Sequence, residues 1–273
     1  MTSLPLHVPA LVTTSFLVCA DVPSPADISV LLTGGALAAL ARELLGRSML
    51  TVRAHSPSAE WLARLGGSSG HLRRLQGARH HVLLRVQGPP DDAPRHAQAA
   101  RQAARLVAAA TGGLVVDVDS HQVVNTALVE PDRFVLGEQW IGVFVVDEKG
   151  LVRADTWGLH RFGLPELVVR GAPYGHLLTA ANLLRVLAFQ LFSQRRAETI
   201  PEALLVDGAD LLRFWGARPV PAGRFMATLS PAATNCPECR TALEVTSAGR
   251  AVGWWDDLPG RALPKLLSAR PEP

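Results

Sequence analysis

The sequence predicts an α+β protein: a ferredoxin-like β-α-β-β-α-β first half over residues 1–125, and a second antiparallel α+β half over 126–257 packed on it. Two observations predict this. Through residue 124, apolar β-branched runs and helix-forming stretches follow one another as β-α-β-β-α-β, an order that places two helices on one face of an antiparallel sheet. No glycine-rich nucleotide signature stands at a strand-to-helix turn, which argues against a doubly wound sheet. With 273 residues, 48% of them hydrophobic, the chain can bury the core of one large domain or two small ones.

Residues 10–20 (ALVTTSFLVCA) are apolar and β-branched and read as a buried strand. Ser24, Pro25 and Asp27 form a helix start, and the helix is expected to run to about Leu45, with Gly34-Gly35 as a point of weakness. A strand at 49–54 and a short helix at 58–65 follow. Residues 66–79 (GGSSGHLRRLQGAR) read as a flexible basic connection, and 81–86 as the next strand. From Pro94 to about Ala110, Ala97, Ala100, Ala104 and Val107 form one helical stripe, and Gln98, Arg101, Gln102 and Arg105 the opposite one. Small alanines allow close approach to a sheet. Residues 114–124 (LVVDVDSHQVV) are read as one continuous strand.

The second half begins with a hairpin, 140–146 and 151–156, turned at Asp147-Glu148-Lys149-Gly150. A strand at 167–170 and a helix over about 174–195 come next. Apolar residues cover nearly the whole circumference of that helix, so it is expected to be buried on several sides. Short strands near 203–206, 224–229 and 242–247 complete the pattern. Proline and charge in 258–273 predict a loosely held tail.

Between the hairpin and the long helix lies DTWGLHRFGLPELVVR, residues 155–170. Gly158 and Gly163 supply unusual backbone angles and Pro165 an extended neighbour, so a strand is expected to end near Trp157, cross tightly, and restart near Glu166. The run T-x-G-L-x-x-F-G-x-P-E-L resembles a stretch in a family of bacterial proteins, itself a domain of unknown function. There T-x-G-[LM]-x-x-F-G-x-P-E-[LM] precedes a strand and a long helix. The resemblance covers about twenty residues and implies no substrate or catalytic residue. Thr156, His160, Arg161 and Glu166 are the residues of this stretch able to bind or to do chemistry.

The net charge of +3 is modest, and Lys149 and Lys265 are the only lysines. Nothing in the composition singles out a polyanion partner. The first twenty residues carry no Lys, Arg, Asp or Glu, yet Pro5 and Pro9 and the absence of a basic leader argue against a signal or anchor. Three cysteines cannot form a disulfide framework. The expected setting is the cytoplasm, without a membrane partner or a cofactor.

Four groups of residues are candidates for function. Asp117, Asp119 and His121 would project from one face of an extended strand, a set suited to a divalent metal, or would form its solvated face. Cys236 and Cys239 form one C-x-x-C, half of a zinc site, or two inert thiols in a turn. His71, Arg73, Arg74, Arg79, His80, His81 and Arg85 could meet phosphate, but no aromatics are interleaved for base stacking, which argues against nucleic acid. Trp254 and Trp255 either cap the core or offer an aromatic contact to a partner. No complete catalytic pattern appears. The sequence therefore points to a non-catalytic module acting through an unidentified protein partner or self-association. A metal-dependent, phosphoester-type hydrolase is the alternative, built on Asp117, Asp119 and His121 with Glu166 or Asp155 as helper.

Overall fold

A computed structural model describes residues 2–6, 8–126, 130–195, 197–233, 242–248 and 253–263. It is an α+β protein of two compact units, one formed by residues 9–134 and the other by 1–8 together with 135–273. Strand β1 (Ser3–Pro5) opens the chain and belongs to the second unit.

The 9–134 unit contains β2 (Val12–Ala20), α1 (Gly35–Gly46), β3 (Leu50–Ala54), α2 (Ala59–Ala63), α3 (Ser69–Gly77), β4 (His80–Gly88), α4 (Ala93–Thr111), β5 (Leu114–Asp117) and β6 (Gln122–Val124). Its sheet has the order β3-β4-β2-β5-β6, every neighbouring pair antiparallel. Helix α4 packs on β2 and β4, and α1 packs on α4. The alanine stripe makes this close approach possible: Ala97, Ala100, Ala104 and Val107 are completely buried.

The other sheet face is covered by the stretch expected to be a flexible connection. Ser68 caps α3, its Oγ accepting from His71 N at 3.2 Å, and Leu75 is buried. Leu62, Leu65 and Leu75 pack with Leu17, Cys19, Leu83, Leu114 and Val116 in one apolar cluster. A sheet covered on both faces explains why β2 reads as a nearly continuous apolar run.

Three further readings are corrected in this unit. The helix expected over 24–45 is a 3-10 turn, Ile28–Leu31, capped by Asp27, followed by α1 after a break at Gly34-Gly35. The single strand expected over 114–124 is the hairpin β5–β6. Helix α4 also differs from expectation, because Gln98 and Arg101 on its polar stripe are buried. Segment 130–132 returns over them: Arg101 donates from Nε and Nη2 to the two Glu130 oxygens at 2.7 Å each, and Gln98 Nε2 donates to Pro131 O at 2.8 Å.

The second unit contains β7 (Gly142–Glu148), β8 (Leu151–Trp157), β9 (Glu166–Pro173), α5 (Leu177–Ser193), β10 (Thr199–Pro201), β11 (Ala203–Asp207), α6 (Asp210–Phe214), β12 (Arg224–Ala232), β13 (Ala242–Ser247), α7 (Trp254–Asp257) and α8 (Pro259–Ala262). Its main sheet runs β11-β12-β13-β9-β8-β7, and β1 pairs with β10 in a separate two-stranded sheet. The sheet is mixed, where an antiparallel one was expected: β13 and β9 run parallel. The chain between them, through α5 and the β11–β12 hairpin, is long enough for the crossover that a parallel pair needs.

Helix α5 lies against β7, β8 and β9. The stretch Tyr174–Ser193 is long and apolar enough to cross a membrane by length and composition. Here Leu183, Leu184, Val186 and Leu187 are completely buried within the unit, the surroundings that an all-round apolar helix requires. Of the expected C-terminal tail, Pro259–Ala262 is helical and Leu263 is buried, and 264–273 lie outside the described residues.

Candidate functional site

The 155–170 stretch builds a buried corner. Strand β8 ends at Trp157 and β9 begins at Glu166, and the 3-10 turn Leu159–Phe162 joins them. Gly158 and Gly163 flank that turn with φ of 116° and 75°, a region that side-chain-bearing residues avoid. Glu166 is 1% exposed. Its Oε1 accepts from Gly158 N at 2.9 Å and His160 N at 3.1 Å, and lies 2.9 Å from His160 Nδ1. Its Oε2 accepts from Thr156 Oγ1 at 2.7 Å, and Thr156 Oγ1 in turn accepts from Leu167 N at 2.7 Å.

The carboxylate thus satisfies the amides at the start of the helical turn and ties both strand ends together. Thr156 and Arg161 are completely buried, with the Arg161 guanidinium 5.6 Å from the Trp140 ring centre. Phe162 meets Phe192 of α5 edge-on at 5.1 Å. Nearby, Asp155 receives two hydrogen bonds from Arg153, at 2.8 and 2.9 Å, and this pairing raises the Arg153 pKa. The geometry is that of a braced turn.

Asp117, Asp119 and His121 do not share a strand face. Strand β5 stops at Asp117, and the next residues turn back into β6, with His121 at φ 53°. The Asp117 Oδ1 accepts from Asp119 N and Ser120 N, both at 3.1 Å, closing the turn on itself. Asp119 Oδ2 accepts from Ser15 N at 3.0 Å, which fastens the turn to β2. His121 is 1% exposed, its ring 5.9 Å from that of Trp61. All three side chains are buried. Among the described residues, no group of three or more His, Cys, Asp and Glu is placed to hold a metal ion.

Trp254 is buried, meeting Phe225 at 5.9 Å and Trp255 at 4.9 Å, both edge-on. Trp255 lies 5.9 Å from the His176 ring, and His176 Nε2 is 2.9 Å from Asp256 Oδ1. Cys236 and Cys239 lie outside the described residues. The basic run 71–85 is divided between α3 and β4.

One open concavity, of about 420 Å³, is lined by residues from three separate stretches of the chain. Residues 23–26, 52–56 and 79–82 line it, and along the paired strands Arg53 and His81 project from the sheet face opposite to that of Ala54, His80 and Val82. The β3–β4 pairing is responsible: Ala54 sits opposite Val82, and His55 N donates to His81 O at 3.0 Å.

No family model, curated protein or solved structure matches this chain.

Proposed function

We propose that the chain is a non-catalytic binding module that acts by self-association through the outer edge of β7. The carrying observation is that β7 ends the six-stranded sheet: β8 pairs with it on one side, and no strand pairs with its other side among the described residues. An edge of seven residues is a template for pairing with another chain. Two copies of GVFVVDE, run antiparallel about Val145, would set Phe144 against Val146, Val143 against Asp147 and Gly142 against Glu148. Like charges would not face each other, and the contact is self-complementary, as a two-fold interface requires. Val146 and Leu151 are exposed beside this edge, at 53% and 47%.

The turn-closing hydrogen bonds of Glu166, Asp117 and Asp119 support the non-catalytic part of this reading, since acids so engaged are poorly placed to exchange protons with a substrate. They weigh against the phosphoester hydrolase. We further read the 9–134 unit as ferredoxin-like, a reading supported by its β3-β4-β2-β5 order, with β6 as an added edge strand. The chain is best grouped with the bacterial proteins that its 155–170 stretch resembles, with the cytoplasm as its setting.

Sedimentation equilibrium tests the association. The native chain is expected to be dimeric at micromolar concentration, and Val146→Lys monomeric with an unchanged far-ultraviolet circular dichroism spectrum, because the side chain already faces solvent. A native chain that stays monomeric at about 200 μM, well above the Kd of a specific interface, would remove this reading.

A further inference from the structure

We propose that the outer edge of β3 in the 9–134 unit binds an extended peptide of a partner protein by strand addition, a peptide that alternates acidic and apolar side chains. Strand β3 ends its five-stranded sheet: β4 pairs with it on one side, and no strand pairs with its other side among the described residues. At the ends of the β3–β4 ladder His55 N donates to His81 O and Gln87 N to Met49 O, at 3.0 Å each. An antiparallel ladder alternates, so the backbone groups of Val52 and Ala54 turn away from β4, toward an incoming strand. Val52 is half-buried and Ala54 exposed. A strand added there gains affinity from main-chain hydrogen bonds, and its alternate side chains set the choice of partner.

The two faces of β3 differ in chemistry, and that difference defines the occupant. Arg53 projects from one face, and Arg85, opposite Thr51 on β4, stands diagonally beside it on the same face. Both are exposed, and neither makes an ion pair among the described residues. Acidic side chains at every second position of the added strand would meet them. Val52, Ala54 and Val82 share the opposite face and, with Pro23, Pro25 and Ala26, give the concavity of about 420 Å³ its apolar surface. The intervening side chains of the peptide would lie against it. A second copy of this chain fits less well. Two β3 strands run antiparallel about Val52 would bring Arg53 and Arg85 of both copies onto one face, where like charges repel. The surface therefore suits a different chain, and it does not depend on the β7 edge.

The test is a titration of the isotopically labelled full chain at pH 7 with capped peptides of about six residues, a common strand length. One alternates Glu and Val, one Lys and Val, and one Glu and Ser. The Glu-Val peptide is expected to bind saturably and to slow amide exchange at Val52 and Ala54, leaving Thr51 and Arg53, already paired with β4, unchanged. The other two should bind about tenfold more weakly or worse, the Lys-Val peptide through charge and the Glu-Ser peptide through lost apolar burial. Arg53→Glu should weaken the Glu-Val peptide about tenfold or more. Val52→Pro removes an outward donor at an edge position that tolerates proline, and should abolish binding with the amide spectrum elsewhere unchanged. Val146→Lys should bind as the native chain does, which separates this surface from the β7 edge. Equal binding of either control peptide, protection centred on another edge, or full affinity in both Arg53→Glu and Val52→Pro would overturn the proposal. So would the absence of saturable binding at about 1 mM, the weak end of specific recognition.

Discussion

Cys19 lies at 3% exposure in the cluster with Leu17 and Leu83, where burial pushes its thiol up to about 12. A thiol so shifted has a thiolate fraction on the order of a thousandfold below that of a free cysteine. At pH 8, peptide mapping after iodoacetamide treatment should find Cys19 unmodified in the native chain and alkylated once urea unfolds it. At this scale the sequence is ambiguous where one residue type serves two structures. Asp117, Asp119 and His121 alternate as a half-wet strand would, but an aspartate two and three residues before backbone amides also closes a turn, and that chemistry prevails here. The 155–170 corner was readable because Gly158, Gly163 and Pro165 constrain the backbone itself, whatever lies around them.

Elements were legible where their signal is local. The alanine stripe of α4 predicts a helix against a sheet, and that is where it lies. Its polar stripe misled, because nothing within the helix announces that 130–132 will return across Gln98 and Arg101. The Arg101–Glu130 pair is 1% exposed on both sides, with Arg105 Nη2 3.6 Å from Glu130. Glu130→Ala removes the carboxylate that receives two hydrogen bonds from the buried Arg101 guanidinium, so it should lower the unfolding free energy by about 3 kcal/mol. Replacing both charges, in Arg101→Met/Glu130→Leu, should recover most of that loss. Urea denaturation of the three chains measures it. Helix α3 was hidden for a similar reason: its basic surface reads as loop, and only the burial of Leu75 against the sheet gives it a purpose.

At the scale of the whole molecule, local signals fail most. The α+β class is visible in the order of elements, but the pairing of β1 with β10 and the parallel β13–β9 contact join distant parts of the chain. No local pattern encodes such partners. Stability against pH is also a property of the whole. Burial lowers the pKa of His81 and of His96, the latter opposed in part by Asp92 and Glu43. The folded chain holds these imidazoles neutral to a lower pH than the unfolded chain does, which protonates them near the ordinary value of 6.5. Below that value the unfolded state binds more protons, so their contribution falls with pH until the folded values are passed, then levels off. The urea midpoint should therefore fall between pH 7.5 and pH 5, less steeply in His96→Gln than in the native chain.

The claim that the acids of this chain belong to its fold is tested most directly at Glu166. Equilibrium unfolding of Glu166→Ala should show a loss of about 3 kcal/mol, because the Gly158 and His160 amides and the Thr156 hydroxyl lose their buried acceptor. A variant as stable as the native chain, or more so, would contradict the account. That is the behaviour of a side chain kept at the expense of stability for chemistry.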